Sequence, residues 1–309
     1  MSIMGSRGRR VVVALAATLA LLGGSLAAAA ATASAGSPPL AARTTAQPLP
    51  RQAARARASL LRYLKQDQPL ANLVNQGGLQ PGGRSITAHP AAPSQAATYN
   101  WGGYVDSSSP GAFTAVSGSW VQPATFCSPE QRVTAFWVGL DGWTDPTVEQ
   151  DGTIAYCFEG VPYYYSWWEM FPAGVVFVGS TVRPGDLIKA SVTVSGGSNY
   201  TLSLTDATRP ADSFSTVQSC APAVCQDSSA DWLIERPEFS IGVCPLSTFS
   251  DWYLLNGSQT SNGVTGSIGS GPGVTQVSML DATSTYPLLS TSGLDRQGNE
   301  FSARWLNSY

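Results

Sequence analysis

The sequence predicts an all-β domain, an antiparallel sandwich or barrel, across the C-terminal two-thirds of the chain. Three observations carry this. Apolar and polar residues alternate over short runs, Gly, Pro and Ser separate the runs, and nothing after Tyr99 reads as a long helix. Gly and Pro fill 52 of 309 positions, enough to punctuate many short strands.

The clearest element is a hairpin. Ile188, Ala190, Val192 and Val194 alternate with Lys189, Ser191, Thr193 and Ser195; Gly196-Gly197-Ser198-Asn199 turns the chain; Tyr200, Leu202 and Leu204 resume the alternation. Similar runs occupy 113–121, 133–140, 163–170, 175–178, 274–280 and 301–306. No repeat of fixed period occurs, so about 210 residues in this style form one domain.

The first third divides differently. Arg7, Arg9 and Arg10 precede an apolar run from Val11 to Leu22 and a small-residue stretch ending Ala33-Ser34-Ala35. That is the layout of a secretory signal peptide over 1–35, and the apolar run is shorter than the ~20 residues a membrane span needs. Secretion to an oxidising extracellular compartment follows, with no membrane association of the mature form.

Residues 36–99 carry seven basic residues and one acid, whereas 100–309 carry seven basic and 19 acidic ones. Arg51, Arg55 and Arg62 lie at helical spacing, with Leu60, Leu61 and Leu64 as an apolar stripe and Gly77-Gly78 as the stop. A Gly/Pro/Ala/Ser-rich linker follows from Gln80 to Ala97. A cationic segment over 36–98 ahead of an anionic domain over 99–309 suggests a propeptide masking a carboxylate-lined cleft and released in acid; a disordered basic arm is the plainer alternative.

Composition excludes several chemistries. The single histidine, His89, lies outside the β-rich part, so a Ser-His-Asp triad, a Cys-His pair or a histidine-ligated zinc cannot form there. A net charge of −3 gives no basis for nucleic-acid binding. No metal or organic cofactor is implied, and monomer is the default state.

Five cysteines imply an odd thiol: Cys220 with Cys225 closes a small loop, Cys127 with Cys157 staples neighbouring segments, and Cys244 is left over, as one arrangement among several. All nine tryptophans fall after position 100. Most suit a core, but Trp167-Trp168 must face opposite sides of their strand, which offers one of them to a cleft.

With histidine absent, acids and amides inside strand-like sequence become the informative set. They are Asp141 after Trp137-Val138-Gly139-Leu140, Gln150 after Thr147-Val148-Glu149, Glu169 after Trp167-Trp168, and Glu235 after Trp232-Leu233-Ile234. Singly, each is more simply a solvated or hydrogen-bonded group; four in aromatic surroundings suggest a shared site.

The order of motifs resembles the glutamic peptidases of the eqolisin family. These motifs are Asn100-Trp101-Gly102-Gly103, the run 116–123, Trp137-Val138-Gly139-Leu140-Asp141-Gly142, Val148-Glu149-Gln150-Asp151-Gly152, Trp167-Trp168-Glu169-Met170-Phe171-Pro172, Gly185-Asp186-Leu187-Ile188 and the run 230–235. The resemblance covers about 99–306. It implies a lectin-like sandwich of two large antiparallel sheets and a catalytic Gln150/Glu235 dyad. It also implies Trp137, Asp141, Trp167 and Glu169 as cleft groups that bind substrate, and a propeptide serving as intramolecular inhibitor. Asp231 departs from the family's usual Glu, Arg236-Pro237 follows Glu235 directly, and Trp143-Thr144-Asp145 lengthens the loop before Gln150.

The implied activity is acid endopeptidase action on protein and peptide substrates, insensitive to pepstatin. Asp-Thr/Ser-Gly turns of the pepsin type are absent from the sequence. A glycoside hydrolase using Glu169 and Glu235, or a glycan-binding module, are the rivals, and neither requires glutamine at position 150.

Overall fold

The computed structural model describes residues 51–65, 93–178, 182–210, 213–239, 242–281 and 283–309. The expected signal peptide, the Gly77-Gly78 stop, His89 and most of the linker lie outside these residues. The chain opens with helix α1 (Arg51–Lys65). Strands β1 (Ser94–Thr98), β2 (Trp101–Ser107), β3 (Phe113–Val121), β4 (Thr125–Phe126), β5 (Arg132–Leu140), β6 (Val148–Phe158) and β7 (Val161–Phe171) follow. Next come β8 (Val176–Phe177), β9 (Leu187–Gly196), β10 (Asn199–Asp206), β11 (Phe214–Ser219), β12 (Ser229–Glu235), β13 (Glu238–Phe239), β14 (Gly242–Val243) and β15 (Thr248–Phe249). The last are β16 (Trp252–Ser261), β17 (Val264–Ser267), β18 (Val274–Met279), β19 (Leu289–Thr291) and β20 (Phe301–Trp305).

Two eight-stranded sheets make the sandwich. The first runs β1-β18-β2-β12-β5-β6-β7-β8; the second runs β11-β10-β9-β3-β16-β20-β19, with β17 on β16. Strand β1 joins β18 in parallel, and the main ladders are antiparallel. The predicted hairpin is β9–β10, and Ile188, Val192, Leu202 and Leu204 are buried as its alternation requires.

Between the sheets lies a core that includes Trp120, Phe136, Val138, Leu202, Trp232 and Trp252. Its indoles find acceptors where strands supply them: Trp232 Nε1 donates to the Ser117 carbonyl at 2.8 Å and Trp120 Nε1 to Thr153 Oγ1 at 3.3 Å. Disulfides join Cys127 to Cys157 and Cys220 to Cys225, while Cys244 is a buried free thiol whose pKa burial pushes up to about 12.

One element departs from the sequence-based expectation. Residues 94–97, expected as linker, pair with β18 as part of β1, because the backbone N–H and C=O groups of an open sheet edge pair with an added strand whatever its side chains. Strand β16 carries Asn256-Gly257, a dipeptide that normally signals a turn. Here it is a bulge: the register to β3 shifts between Leu255 and Ser258, Asn256 has φ 54°, and a Cβ on Gly257 would lie 2.5 Å from Ile268 Cδ1. On α1 the buried face includes Ala53, Ala56, Ser59 and Leu60, with Leu61 half-buried, so the face holding Leu60 and Leu61 also extends towards the helix start.

Gly152 sits between Trp137 and Trp167 in one cross-strand row. A Cβ there would stand 2.2 Å from the Phe136 carbonyl oxygen and 2.7 Å from Trp137 Cβ, with rigid backbone as the neighbour. Gly152→Ala is therefore expected to destabilise the domain by about 1–3 kcal/mol in urea unfolding. Gly174→Ala, where a Cβ meets nothing within 4 Å, should stay within about 0.5 kcal/mol.

Candidate active site

Strands β5, β6, β7 and β12 are buried along nearly their whole length, so successive side chains alternate between two covered faces. One face meets the second sheet. The other carries Trp101, Trp137, Ile154, Tyr156, Trp167 and Leu233, and Ala56 and Leu60 of α1 pack into the same cluster. Gln150, Glu169 and Glu235 share the spacing of this second face, two residues from Ile154's row neighbour Gly152, from Trp167 and from Leu233.

The register then sets who meets whom. Gln150 is the cross-strand partner of Glu169, and its Nε2 donates to Glu169 Oε2 at 2.7 Å. On its other side Gln150 pairs with Gly139, which pairs with Asp231. The missing side chain of Gly139 matters: a Cβ there would be 3.0 Å from Gln150 Cβ and 2.9 Å from Trp137 Cζ3. Glu235 pairs with Ala135, farther along the same strands, and its Oε2 accepts Trp137 Nε1–H at 2.9 Å. Glu235 Oε1 and Gln150 Oε1 accept no hydrogen bond.

Electrostatics follow from burial. Desolvation holds the Glu235 carboxyl well above the usual carboxylate range; Glu169 adds to the rise, and the side chains of Trp101, Trp137 and Asn100 oppose it. Burial pushes Glu169 up to about 8 against the opposing Gln150 amide. Asp231 is also raised, by burial first and then by Asp141 and Asp145. Among the described residues no ion pair reaches Glu169, Asp231 or Glu235.

Of the six site residues named from sequence, five lie on this face: Trp137, Gln150, Trp167, Glu169 and Glu235. Asp141 does something else. It ends β5 with φ 67°, and its carboxylate accepts the backbone N–H groups of Gln226, Asp227 and Ser228 at 2.7, 2.8 and 2.6 Å. That side chain ties the loop before β12 to the end of β5 instead of meeting Gln150. Two polar groups turned towards Glu235, Asn100 and Trp101, were quoted in the motif Asn100-Trp101-Gly102-Gly103 without a role. Only the β2–β12 pairing of Trp101 with Glu235 brings them to the carboxylate.

Helix α1 covers the face by packing more than by charge. Tyr165 donates to the Ala53 carbonyl at 3.0 Å, Ser59 and Tyr156 hydroxyls meet at 3.2 Å, and Arg57 Nη2 donates to the Phe177 carbonyl at 2.6 Å. Among the described residues its one ion pair is Arg55–Glu159 at 3.3 Å, with side chains 68% and 51% exposed. Within α1, Arg55 meets a rim acid and Arg57 a carbonyl, while apolar side chains pack into the aromatic cluster.

Residues 99–298 match the Peptidase A4 family. Over 138 residues the chain is 25% identical to aspergillopepsin-2 of Aspergillus niger, an alignment that covers 44% of this chain and 49% of that protein, so it spans about half the relative's length. Its fold superposes on scytalido-glutamic peptidase, solved with a transition state analog inhibitor, with TM-score 0.59 and 23% identity over 67% of this chain and 98% of the other. SCP-B, an eqolisin solved with the tripeptide Ala-Ile-His, gives TM-score 0.55 and 22% identity over the same shares. With a family match across most of the β sandwich and the fold in agreement, the chain belongs to the peptidase A4, or eqolisin, family of glutamic peptidases.

Proposed function

We propose that this protein is a secreted acid endopeptidase, made as a zymogen, that hydrolyses peptide bonds in proteins with Gln150 and Glu235. The observation that carries the reading is the presence of two held polar groups on one aromatic face. The Gln150 amide is fixed by Glu169 at 2.7 Å and the Glu235 carboxyl by Trp137 at 2.9 Å.

The chemistry assigns each atom a task. Ionised Glu235 takes a proton from water as the oxygen attacks the scissile carbonyl, then delivers that proton to the departing amine. Gln150 Nε2 spends one hydrogen on Glu169 and keeps the second for the oxyanion, while its unpartnered Oε1 orients the water. Glu169, protonated in acid because burial raises it to about 8, accepts from Gln150 and fixes which way the amide points. The glycosidase rival needs Glu169 as a working carboxyl; here the Gln150 amide occupies it.

Helix α1 belongs, in this reading, to the propeptide. It fills the cleft, and by excluding water it keeps Glu235 protonated and unable to act as a base. Removing it rehydrates the face, lowers the Glu235 pKa toward the ordinary range of ~4, and lets the Trp101, Trp137 and Asn100 groups stabilise the carboxylate.

Residues 36–309 incubated in acid with denatured protein and pepstatin test this. The parent should lose the leading segment and cleave substrate. Glu235→Gln should fall about 100- to 10,000-fold and Gln150→Ala about 100- to 1,000-fold, with unchanged circular dichroism. A folded parent, freed of residues 36–98, that leaves protein intact across acid pH overturns the assignment.

Two further outcomes are expected. Trp137→Phe removes a donor that favours ionised Glu235, so the acid limb of kcat/KM should move to higher pH. Leu60→Asp should hasten appearance of activity in the 36–309 chain, because it places a charge in the apolar cluster. Arg55→Ala, which deletes an exposed ion pair, should alter the rate little.

A further inference from the structure

The residues on either side of Gln150 are both acids, and strand alternation points both away from the cleft. Glu149 and Asp151 are 0% exposed. Asp151 lies between β6 and β10, where the Ser203 backbone is the polar group turned towards it, and neither carboxyl oxygen accepts a well-formed hydrogen bond. Glu149 enters a corner shared with Asp141 from the end of β5, Asp145 from the following loop and Asp227 from the loop before β12. Carboxyl oxygens of Asp141, Glu149 and Asp227 lie within 4.8 Å of one another. Tyr200 of β10 donates to Asp227 at 2.7 Å, and the Cys220–Cys225 disulfide lies alongside. None of the groups that face Glu149 or Asp151 is a lysine or arginine.

Burial and the neighbouring Asp145 push Asp141 up to about 6, against the three backbone N–H groups that favour its ionised form. Glu149 beside it has no such donors; it fits only as a neutral acid sharing its proton with Asp141. Asp151, without a cation or an adequate donor set, fits between the sheets only when protonated.

We propose that Glu149 and Asp151 are positioning residues that work as neutral acids, seating β6 against the second sheet so that Gln150 is held in the cleft, and that their ionisation unseats β6 and ends activity as pH rises. Through its activity arm this rests on the proposed peptidase reading; its stability arm does not.

The sign follows from where the proton is held. Burial raises both carboxyls above their unfolded value of ~4, so the stabilisation is complete below that value and is lost as pH rises toward the folded-state value. Within that window each group should shift the folding equilibrium about tenfold per pH unit, and the two together about a hundredfold.

Urea unfolding of the 36–309 chain, followed by tryptophan fluorescence between pH 3 and 8 with and without calcium, reads this directly. Stability of the parent should fall steeply above pH 4, with protons taken up on folding and released on unfolding across that range. Glu149→Gln and Asp151→Asn should each raise the alkaline midpoint, and the double variant should raise it by about one pH unit or more; the exposed control Asp251→Asn should leave it in place. In active enzyme the alkaline limb of kcat/KM should move with that midpoint.

A parent whose stability is flat from pH 4 to 7 overturns the proposal even if both variants misfold. So does an unshifted midpoint in folded variants. Calcium restoring the parent at neutral pH also overturns it, since a cation would then be doing what is assigned to the proton. A parent that cleaves nothing but shows the shifted midpoints sinks the peptidase reading and leaves the seating of β6 standing.

Discussion

Strand β6 is covered on both sides, and most of the molecule's organisation follows from that. A strand with one wet face can place any polar residue outward. Strand β6 cannot: all of Val148–Cys157 is buried, so every polar group on it must be satisfied, protonated or put to use. Alternation sends Gln150 to the aromatic face and Glu149 and Asp151 to the inter-sheet face. The glycines at 139 and 152 then leave space for the Gln150 and Trp137 side chains.

This double burial explains the character of the acids. The β-rich part has an excess of carboxylates, yet the described ion pairs are few, and of those within it only Arg209–Asp186 holds a buried acid. Glu149, Asp151, Glu169, Asp231 and Glu235 are all raised, with desolvation the first cause in each. For these five acids burial, and not charge pairing, is the dominant influence. The same property that suits a carboxylate base to acidic solution therefore suits the scaffold behind it.

Helix α1 takes part in the same economy of water. Its arginines face outward or towards carbonyls, and Ala53, Ala56 and Leu60 face the aromatic cluster. Apolar contact is not directly weakened by acid, and one exposed pair at Glu159 gives protonation little to act on. Dehydration of the cleft is then the principal effect of the helix on the groups beneath it.

The sequence by itself determined the all-β class, the β9–β10 hairpin and the opposite faces of Trp167 and Trp168, and it singled out Gln150, Glu169 and Glu235, which share one face of the sheet. These are local: a period of two is written in consecutive residues, and resemblance by ordered motifs needs no coordinates. It was less informative where a local signal has two meanings. Asn256-Gly257 marks a turn in most contexts, and only the pressure of Ile268 and the pairing with β3 make it a bulge inside β16. Asp141 and Glu169 looked equivalent as acids in aromatic surroundings. Register separated them, placing Glu169 across from Gln150 and leaving Asp141 to collect the amides of 226–228. The convergence of Asn100 and Trp101 on Glu235, the seat of α1 and the burial of Glu149 and Asp151 were likewise decided by tertiary structure alone. Each depends on which strands and helix lie next to one another, and that contact is made between residues far apart in the chain.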